Sequence, residues 1–274
     1  GPYLTPGSFN PVTGGLAQGT HAWLVQVSGL NILVDTATGN DKPLPAAPAL
    51  DHLHTSFLEH LAAAGVQPEQ VDTVLHTHIH ADHVGWNTRL HNGKWVPTFP
   101  KARHVFSVIE ARYGASNDGI DPAPDLPPEI LGRPDHRPLP RVYTDSMLPV
   151  IEAGLGEAII IDGQDLLAGF SFHPTPGHSI DHASIRLRSD GEEAWFTGDV
   201  MHHPLQVYRP DLRSVYCEFV QSAEHSRRWL LKEAAESGSL CFTSHFAETG
   251  AGYVRRRPEG FAWEFAQPNV GDAR

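Results

Sequence analysis

Four potential metal ligands lie within one short segment of the sequence, His78, His80, Asp82 and His83, which form the pattern HxHxDH. Chance alone gives on the order of 0.005 such matches in a chain of this composition. In an extended segment after a strand, His78 and His80 point to the same side, whereas Asp82 and His83 can turn toward a neighbouring point. We therefore expect this loop to supply ligands to two metal ions.

Three further candidates, His178, Asp199 and His245, each stand after a run of residues that is predicted to form a strand. Loops on a rigid scaffold can converge at one edge, so these side chains are expected to complete the metal sites. Histidine makes up 18 of the 274 residues, and imidazole and carboxylate ligands without cysteine suit zinc, iron, manganese and cobalt. Two divalent ions per chain are the expected cofactor, with Zn2+ favoured by its prevalence.

The order of these motifs resembles that of the metallo-β-lactamase-fold hydrolases, in particular the branch that contains methyl parathion hydrolase and the quorum-quenching lactonases. The resemblance covers most of the chain and rests on five segments in family order: Leu33-Val34-Asp35-Thr36, His78 to His83, Thr175-Pro176-Gly177-His178, Thr197-Gly198-Asp199 and Thr243-Ser244-His245. It implies an α/β fold of the αββα sandwich type, with two mixed β-sheets and helices on the outer faces.

The resemblance also implies roles for individual side chains. It gives seven metal ligands in two sets: His78, His80 and His178 for the first ion, Asp82, His83 and His245 for the second, and Asp199 as a bridge between the two. Asp35, beneath the motif loop, would support a ligand without binding metal itself.

The pattern of apolar residues predicts a single domain over residues 1–274, with strands and helices in both halves. Strands are expected at 21–27, 31–34, 71–75, 101–108, 158–161, 170–172, 184–187, 193–197, 240–243 and 261–265, and helices at 52–64, from 108 onward and at 222–236. Proline has no backbone N–H to donate in a β-sheet and interrupts an α-helix. Because seven prolines lie between residues 121 and 140, an irregular surface excursion is expected at about 115–140.

Two adjacent divalent ions can activate a water and stabilise the oxyanion that its attack creates, so this ligand set predicts a hydrolase of small esters, lactones or phosphotriesters. Asp82 is the expected proton shuttle. The quorum-quenching lactonases have a tyrosine three residues after the bridging aspartate, where this chain has His202, which is expected either to hydrogen-bond the substrate or to pack. Trp86, Phe99 and Tyr208 are candidates for the substrate pocket.

The resemblance admits a second class of enzyme, a mononuclear iron dioxygenase similar to the persulfide dioxygenases, which use only the first site of the same loop. A non-catalytic metal-binding module is disfavoured, because the expected ligand set leaves room for water on the ions. No role is assigned to His182, for which a place on a strand surface suffices. Cys217 and Cys241 are expected to be buried free thiols.

Composition narrows the expected partners to a small-molecule substrate. The formal net charge of -12 disfavours nucleic acid, and no apolar run approaches the roughly 20 residues of a membrane span. No secretion signal is visible, so a cytoplasmic location is expected, although the initial Gly1-Pro2 leaves a removed leader open. Aromatic residues near the C-terminus would fit a homodimer.

Overall fold

The computed structural model describes residues 7–121 and 134–267. The strands are β1 Trp23–Val27, β2 Leu30–Val34, β3 Thr73–Leu75, β4 Thr88–His91, β5 Lys94–Pro97, β6 Arg103–Ser107, β7 Gly156–Ile159, β8 Asp165–Leu167, β9 Phe170–Pro174, β10 Ala183–Ser189, β11 Glu192–Gly198, β12 Leu240–Thr243, β13 Ala251–Arg257 and β14 Gly260–Phe265. The α-helices are α1 Phe57–Ala63, α2 Ala81–Val84, α3 Val108–Asn117, α4 Leu148–Glu152, α5 Leu205–Tyr208 and α6 Val220–Ser237. Within the described ranges, no helix has the length and apolar character needed to cross a bilayer.

Two mixed sheets form the centre of the fold. Five strands pair in the order β1-β2-β3-β6-β7, and seven pair in the order β14-β13-β12-β11-β10-β9-β8. In the first sheet, β1 and β2 are antiparallel, while β2, β3, β6 and β7 are parallel. In the second, β11 and β12 are parallel and the other neighbours are antiparallel. β4 and β5 form a separate hairpin.

The alternation of side chains along β2 separates two apolar cores. Ile32 and Val34 point to one face, where they share a cluster with Phe170 of the seven-stranded sheet. Leu33 points to the opposite face and packs with Leu61 of α1. The five-stranded sheet is therefore covered by the other sheet on one face and by a helix on the other.

Helix α6 covers the outer face of the seven-stranded sheet. Its Leu230 and Leu231 share a cluster with Trp195 and Trp263, and Phe265 packs at the border of this cluster. With the core between the sheets, this arrangement is the αββα sandwich that the sequence predicted. The C-terminal aromatic residues thus pack on the core, which removes the argument that linked them to a homodimer.

The predicted elements agree with the observed ones except at some of their ends. The helix expected at 52–64 begins only at Phe57, because His52 has a left-handed backbone with φ 48° and donates its N–H to the Lys42 carbonyl at 2.8 Å. Helix α3 continues to Asn117, beyond the expected start of the excursion. Of the excursion, residues 134–140 are irregular, and 122–133 lie outside the described residues.

The segments that carry the candidate ligands all leave one edge of the sandwich. They follow the C-terminal ends of β2, β3, β9, β11 and β12. At this edge Asp35 donates its backbone N–H to the Leu75 carbonyl at 2.9 Å, which ties β2 to β3. Ala183 donates to the Thr77 carbonyl at 2.9 Å, so the two sheets are joined beside the motif loop.

Candidate metal centre

Three imidazole nitrogens converge to form a first cluster of His78, His80 and His178. His80 Nδ1 lies 2.8 Å from His178 Nε2, and His78 Nε2 lies 3.1 Å from the same atom. Tetrahedral zinc sites place ligand nitrogens about 3.3 Å apart, given Zn–N bonds of about 2.0–2.1 Å. The first cluster therefore fits one divalent ion held by three histidines.

A second cluster consists of Asp82, His83 and His245. Asp82 Oδ2 lies 3.5 Å from His245 Nε2 and 3.8 Å from His83 Nε2. His80 is the last extended residue, with φ -103° and ψ 163°, and α2 begins at Ala81. After this change of backbone conformation Asp82 and His83 reach the second cluster, although the His83 ring stays 4.1 Å from that of His78. The candidate ligands of one short motif therefore lie in two clusters.

Asp199 lies between the two clusters. Its Oδ1 is 3.2 Å from His83 Nε2, and its Oδ2 is 2.8 Å from His245 Nε2. The same Oδ2 is 3.2 Å from His178 Nε2 of the first cluster. Asp199 thus touches both ligand sets, which is the geometry expected of a bridging carboxylate.

Unsatisfied polar atoms at this centre support the presence of cations. His83 Nε2 and Asp199 Oδ1 are buried and have no hydrogen-bond partner among the described residues. A buried polar atom without a partner costs roughly 1–3 kcal/mol, and a shared cation would remove that cost. The donor set of five imidazoles and two carboxylates therefore fits divalent metal.

Burial and neighbouring charges set the protonation of these groups. Burial lowers the pKa of His78 and His178 well below the usual value. Burial would also lower the pKa of His245, but the carboxylates of Asp199 and Asp82 raise it to about 9. Burial would raise the pKa of Asp199, yet the surrounding imidazoles, His245 first, hold it well below its usual range. His78 and His178 are therefore neutral imidazoles, the form that binds metal. Burial would also lower the pKa of His80, but the Glu218 carboxylate raises it.

Asp35 supports the second cluster from behind. Its Oδ2 lies 2.8 Å from His83 Nδ1, the ring nitrogen that faces away from Asp199. Thr77 donates its backbone N–H to Asp35 Oδ1 at 2.9 Å and its hydroxyl to Oδ2 at 2.8 Å. Asp35 orients His83 through the far side of the ring, in the position that the resemblance implies.

The expectation that His182 lies on a strand surface is wrong. The side chain is buried, and its Nε2 accepts a hydrogen bond from the backbone N–H of Asp199 at 2.9 Å. Its Nδ1 pairs with the Thr175 hydroxyl at 2.9 Å. Burial lowers the pKa of His182 to about 4, so the neutral ring can accept this bond and fix the backbone of Asp199.

Two buried glutamates that sequence reasoning missed also support the ligand loops. Glu110 of α3 accepts hydrogen bonds from the Ser179 hydroxyl at 2.5 Å and from the Ile79 backbone at 3.2 Å. Glu218 Oε1 lies 2.7 Å from His80 Nε2. Neither glutamate belongs to a motif, and the only sequence signal is an acidic residue flanked by apolar ones.

His202 lies against the metal centre with free hydrogen-bonding capacity. Its ring is parallel to that of His245, at 5.4 Å between centroids and 5° between planes, and 5.3 Å from the ring of Tyr216. Both of its nitrogens are buried without a hydrogen-bond partner in the described part of the chain. Burial lowers the pKa of His202 to about 3, so the ring is neutral near pH 7.

A cavity of about 630 Å³ opens above both clusters. Its floor contains ligand candidates from each cluster together with His202. Its walls come from four segments that are distant in sequence: 18–20, 46–50, 136–139 and 215–216. Apolar side chains such as Leu50, Leu139 and Val215 contribute to these walls, and Gln18 and Arg137 contribute polar groups.

The three aromatic residues predicted for the pocket lie elsewhere, so that prediction needs correction. Trp86 is buried and stacks on Phe57 at 5.5 Å. Phe99 is buried in the cluster beneath α1, and the Tyr208 hydroxyl donates to the Trp263 carbonyl at 3.4 Å. Nearness to the motif in sequence did not decide which way these rings point, because their apolar surface is better buried in the cores.

Comparison with known proteins places the fold in a family. The sequence profile of the Metallo-beta-lactamase superfamily matches residues 16–245, a range that contains all seven ligand candidates. A solved hydrolase, AbOPH, described as belonging to the β-lactamase superfamily, is 26% identical with a TM-score of 0.73, over 95% of this chain and 83% of that one.

Two further solved structures share the fold at lower identity. AidC, a dizinc quorum-quenching lactonase in complex with a product, is 21% identical with a TM-score of 0.71, over 91% of this chain and 80% of its own. A probable metal-dependent hydrolase from Staphylococcus aureus is 17% identical with a TM-score of 0.72, over 96% of this chain and 87% of its own. The chain belongs to the metallo-β-lactamase superfamily, as its motifs predicted, and its structural neighbours include quorum-quenching lactonases.

Proposed function

We propose that this protein is a dinuclear metal-dependent hydrolase of an ester, lactone or phosphotriester of a small molecule. The observation that carries the proposal is the pair of ligand clusters joined by Asp199 on the floor of the cavity. A hydrolase and a probable metal-dependent hydrolase among the structural neighbours add support. Zn2+ is the ion we propose, since nitrogen and carboxylate donors suit it.

Two divalent ions in these clusters would supply Lewis acidity, which activates a water and polarises the carbonyl or phosphoryl group. Asp82 is the carboxylate that substrate and water can reach: its side chain is 21% exposed and lines the cavity, whereas that of Asp199 is 3% exposed. Asp82 would therefore take the proton of the attacking water and pass it to the leaving group.

His202 would orient the substrate. A neutral imidazole with both nitrogens free can donate one hydrogen bond and accept another. Its position on the cavity floor, 3.5 Å from Asp199 Oδ2 through Nε2, brings it beside both clusters. The ring contributes to the cavity floor, beside the space that a substrate would occupy.

The completeness of the second cluster favours this function over a mononuclear iron dioxygenase. A dioxygenase of that type needs only the first cluster, yet here Asp82, His83 and His245 stand together and His83 has its own buried support, Asp35. Keeping a buried ionic group without a ligand to bind would destabilise the protein.

The test is hydrolysis of lactones, aryl esters and phosphotriesters by the Zn2+-loaded protein, with Asp82→Asn and a control, Asp165→Asn in the exposed strand β8. We expect at least one class to be hydrolysed, a loss of roughly 100-fold or more for Asp82→Asn, and no change for Asp165→Asn. Failure to hydrolyse any class, or oxygen uptake with thiol substrates instead, would overturn the proposal.

A further inference from the structure

Glu218 places a buried carboxylate directly behind the first cluster. The residue stands two positions before α6, and its side chain is fully buried. Its Oε1 lies 2.7 Å from Nε2 of His80, the ring nitrogen opposite to the one that faces His178. The carboxylate therefore contacts the cluster through His80.

The backbone around Glu218 is fastened to the loop that carries His178. Glu218 donates its N–H to the His178 carbonyl at 2.9 Å, and Phe219 donates to the Gly177 carbonyl at 2.8 Å. Asp135 donates its backbone N–H to the Glu218 carbonyl at 2.7 Å. These bonds hold Glu218 at a fixed place relative to two ligand candidates of the first cluster.

The contact selects one form of the His80 ring. A carboxylate at Nε2 accepts a hydrogen bond from an N–H at that nitrogen, so the proton stays on Nε2 and the lone pair is on Nδ1. Nδ1 is the atom 2.8 Å from His178 Nε2, so the ring presents its lone pair to the cluster. Carboxylates that accept from a ligating histidine fix its orientation and increase its basicity.

The two clusters differ in their own charges but share one feature, a histidine with a buried carboxylate behind it. The second cluster contains a carboxylate, Asp82, whereas the first consists of three imidazoles and shares only Asp199. Glu218 contacts His80 at 2.7 Å, as Asp35 contacts His83 at 2.8 Å. Each cluster therefore has one histidine backed by a buried carboxylate.

Packing alone does not account for a carboxylate at this position. A buried carboxylate costs several kcal/mol of desolvation, and glutamine would fill nearly the same volume without that cost. We propose that Glu218 is the positioning residue of the first metal site, orienting His80 and adding negative charge behind it. The proposal rests on the metal centre of the proposed function and not on the bond that the enzyme hydrolyses.

The test measures Zn2+ affinity site by site, by competition with a chromophoric chelator. His245→Ala weakens the second cluster and leaves the first, and His78→Ala does the reverse. Adding Glu218→Gln to each background should lower affinity 10–100-fold in His245→Ala and less than about threefold in His78→Ala. Equal losses in the two backgrounds, or none in the first, would overturn the proposal.

A folding defect is separated from a metal defect by the melting temperature of the chelator-treated protein. A merely structural role predicts a lower melting temperature and equal losses of affinity in both backgrounds. If Glu218→Gln does not fold, Glu218→Asp, which keeps the charge and withdraws it from His80, should show the same selectivity. Site-selective loss of Zn2+ in a protein that hydrolyses none of the substrates would refute the hydrolase proposal and leave this one standing.

Discussion

A histidine that binds metal through one ring nitrogen is oriented by the partner of its other nitrogen. The partners here are chemically different: Asp35 behind His83 at 2.8 Å and the backbone carbonyl of Gly19 behind His245 at 2.8 Å. A hydrogen bond on the outer nitrogen sets the tautomer, so these contacts decide which atom faces the metal. Ligand identity is thus only part of what builds the centre.

Replacing His202 with phenylalanine should separate substrate orientation from metal binding. Phenylalanine keeps a flat ring beside His245 but removes both nitrogens. We expect kcat/KM to fall by roughly 10–100-fold, equivalent to the loss of one hydrogen bond to a charged group, with unchanged Zn2+ content. Unchanged kcat/KM would mean that His202 only packs.

His104 should make the protein less stable in acid. Burial, with the neighbouring His76, lowers the pKa of His104 well below 6.5. At a pH between the folded and unfolded pKa values, His104 stays unprotonated in the folded protein but binds a proton in the unfolded chain. The contribution of His104 to the free energy of unfolding is complete above about pH 6.5 and falls as the pH drops, by roughly 1.4 kcal/mol per pH unit. Urea unfolding of chelator-treated protein at pH 5–8 should show that the free energy of unfolding depends less steeply on pH in His104→Phe than in the unchanged protein. Parallel curves for the two proteins would contradict this.

At the scale of single residues, the sequence predicts the candidate metal ligands better than it predicts the residues that line the cavity. Spacing was sufficient to direct His78 and His80 to one cluster and Asp82 to the other, because one change from extended to helical backbone fixes their directions. The cavity walls at 46–50 and 215–216 and the position of Glu218 were not predictable, since they depend on which distant segments pack beside the centre. No local periodicity records that contact.

Among the elements, a close approach between the His178 loop and helix α6 constrains the first cluster. Gly177 has φ 128°, and a Cβ there would lie 2.0 Å from the backbone nitrogen of Ala223. The loop can approach the first turn of α6 this closely only with glycine.

Gly177→Ala should therefore destabilise the fold and disturb the first cluster. We expect a loss of about 3 kcal/mol or more, from overpacking and backbone strain together. Gly191→Ala is the matched control: φ is 82° and nothing lies within 4 Å of the added Cβ, so only about 1–2 kcal/mol should be lost. Chemical denaturation of both variants measures the difference, and equal losses would contradict the close-approach argument.

Most of the elements that sequence reasoning missed are short or irregular, although the seven-residue strand β13 was missed as well. The hairpin β4–β5, strand β8 and the π-helical turn Tyr143–Met147 that precedes α4 each span five residues or fewer per segment. Periodicity needs a longer window to separate helix from strand. The long helix α6 and the strands β10 to β12 gave clear patterns, and these elements carry or support the candidate ligands.

For the whole molecule, the centre joins loops from both sheets, so metal should stabilise the global fold. Free Zn2+ at 100 times its dissociation constant adds about 2.7 kcal/mol per site, which corresponds to a rise of roughly 5–10 °C in melting temperature. Calorimetry of chelator-treated and Zn2+-loaded protein measures the shift. His245→Ala should show a smaller shift, and an equal shift in this variant would argue against a second stabilising site.

The central claim is that both clusters hold metal and act together. The most direct measurement is the rate of hydrolysis of the best substrate while chelator-treated protein is titrated with Zn2+. We predict little activity up to one equivalent and full activity at two, with Asp199→Asn remaining inactive throughout. Full activity at a single equivalent, or in Asp199→Asn, would contradict the account.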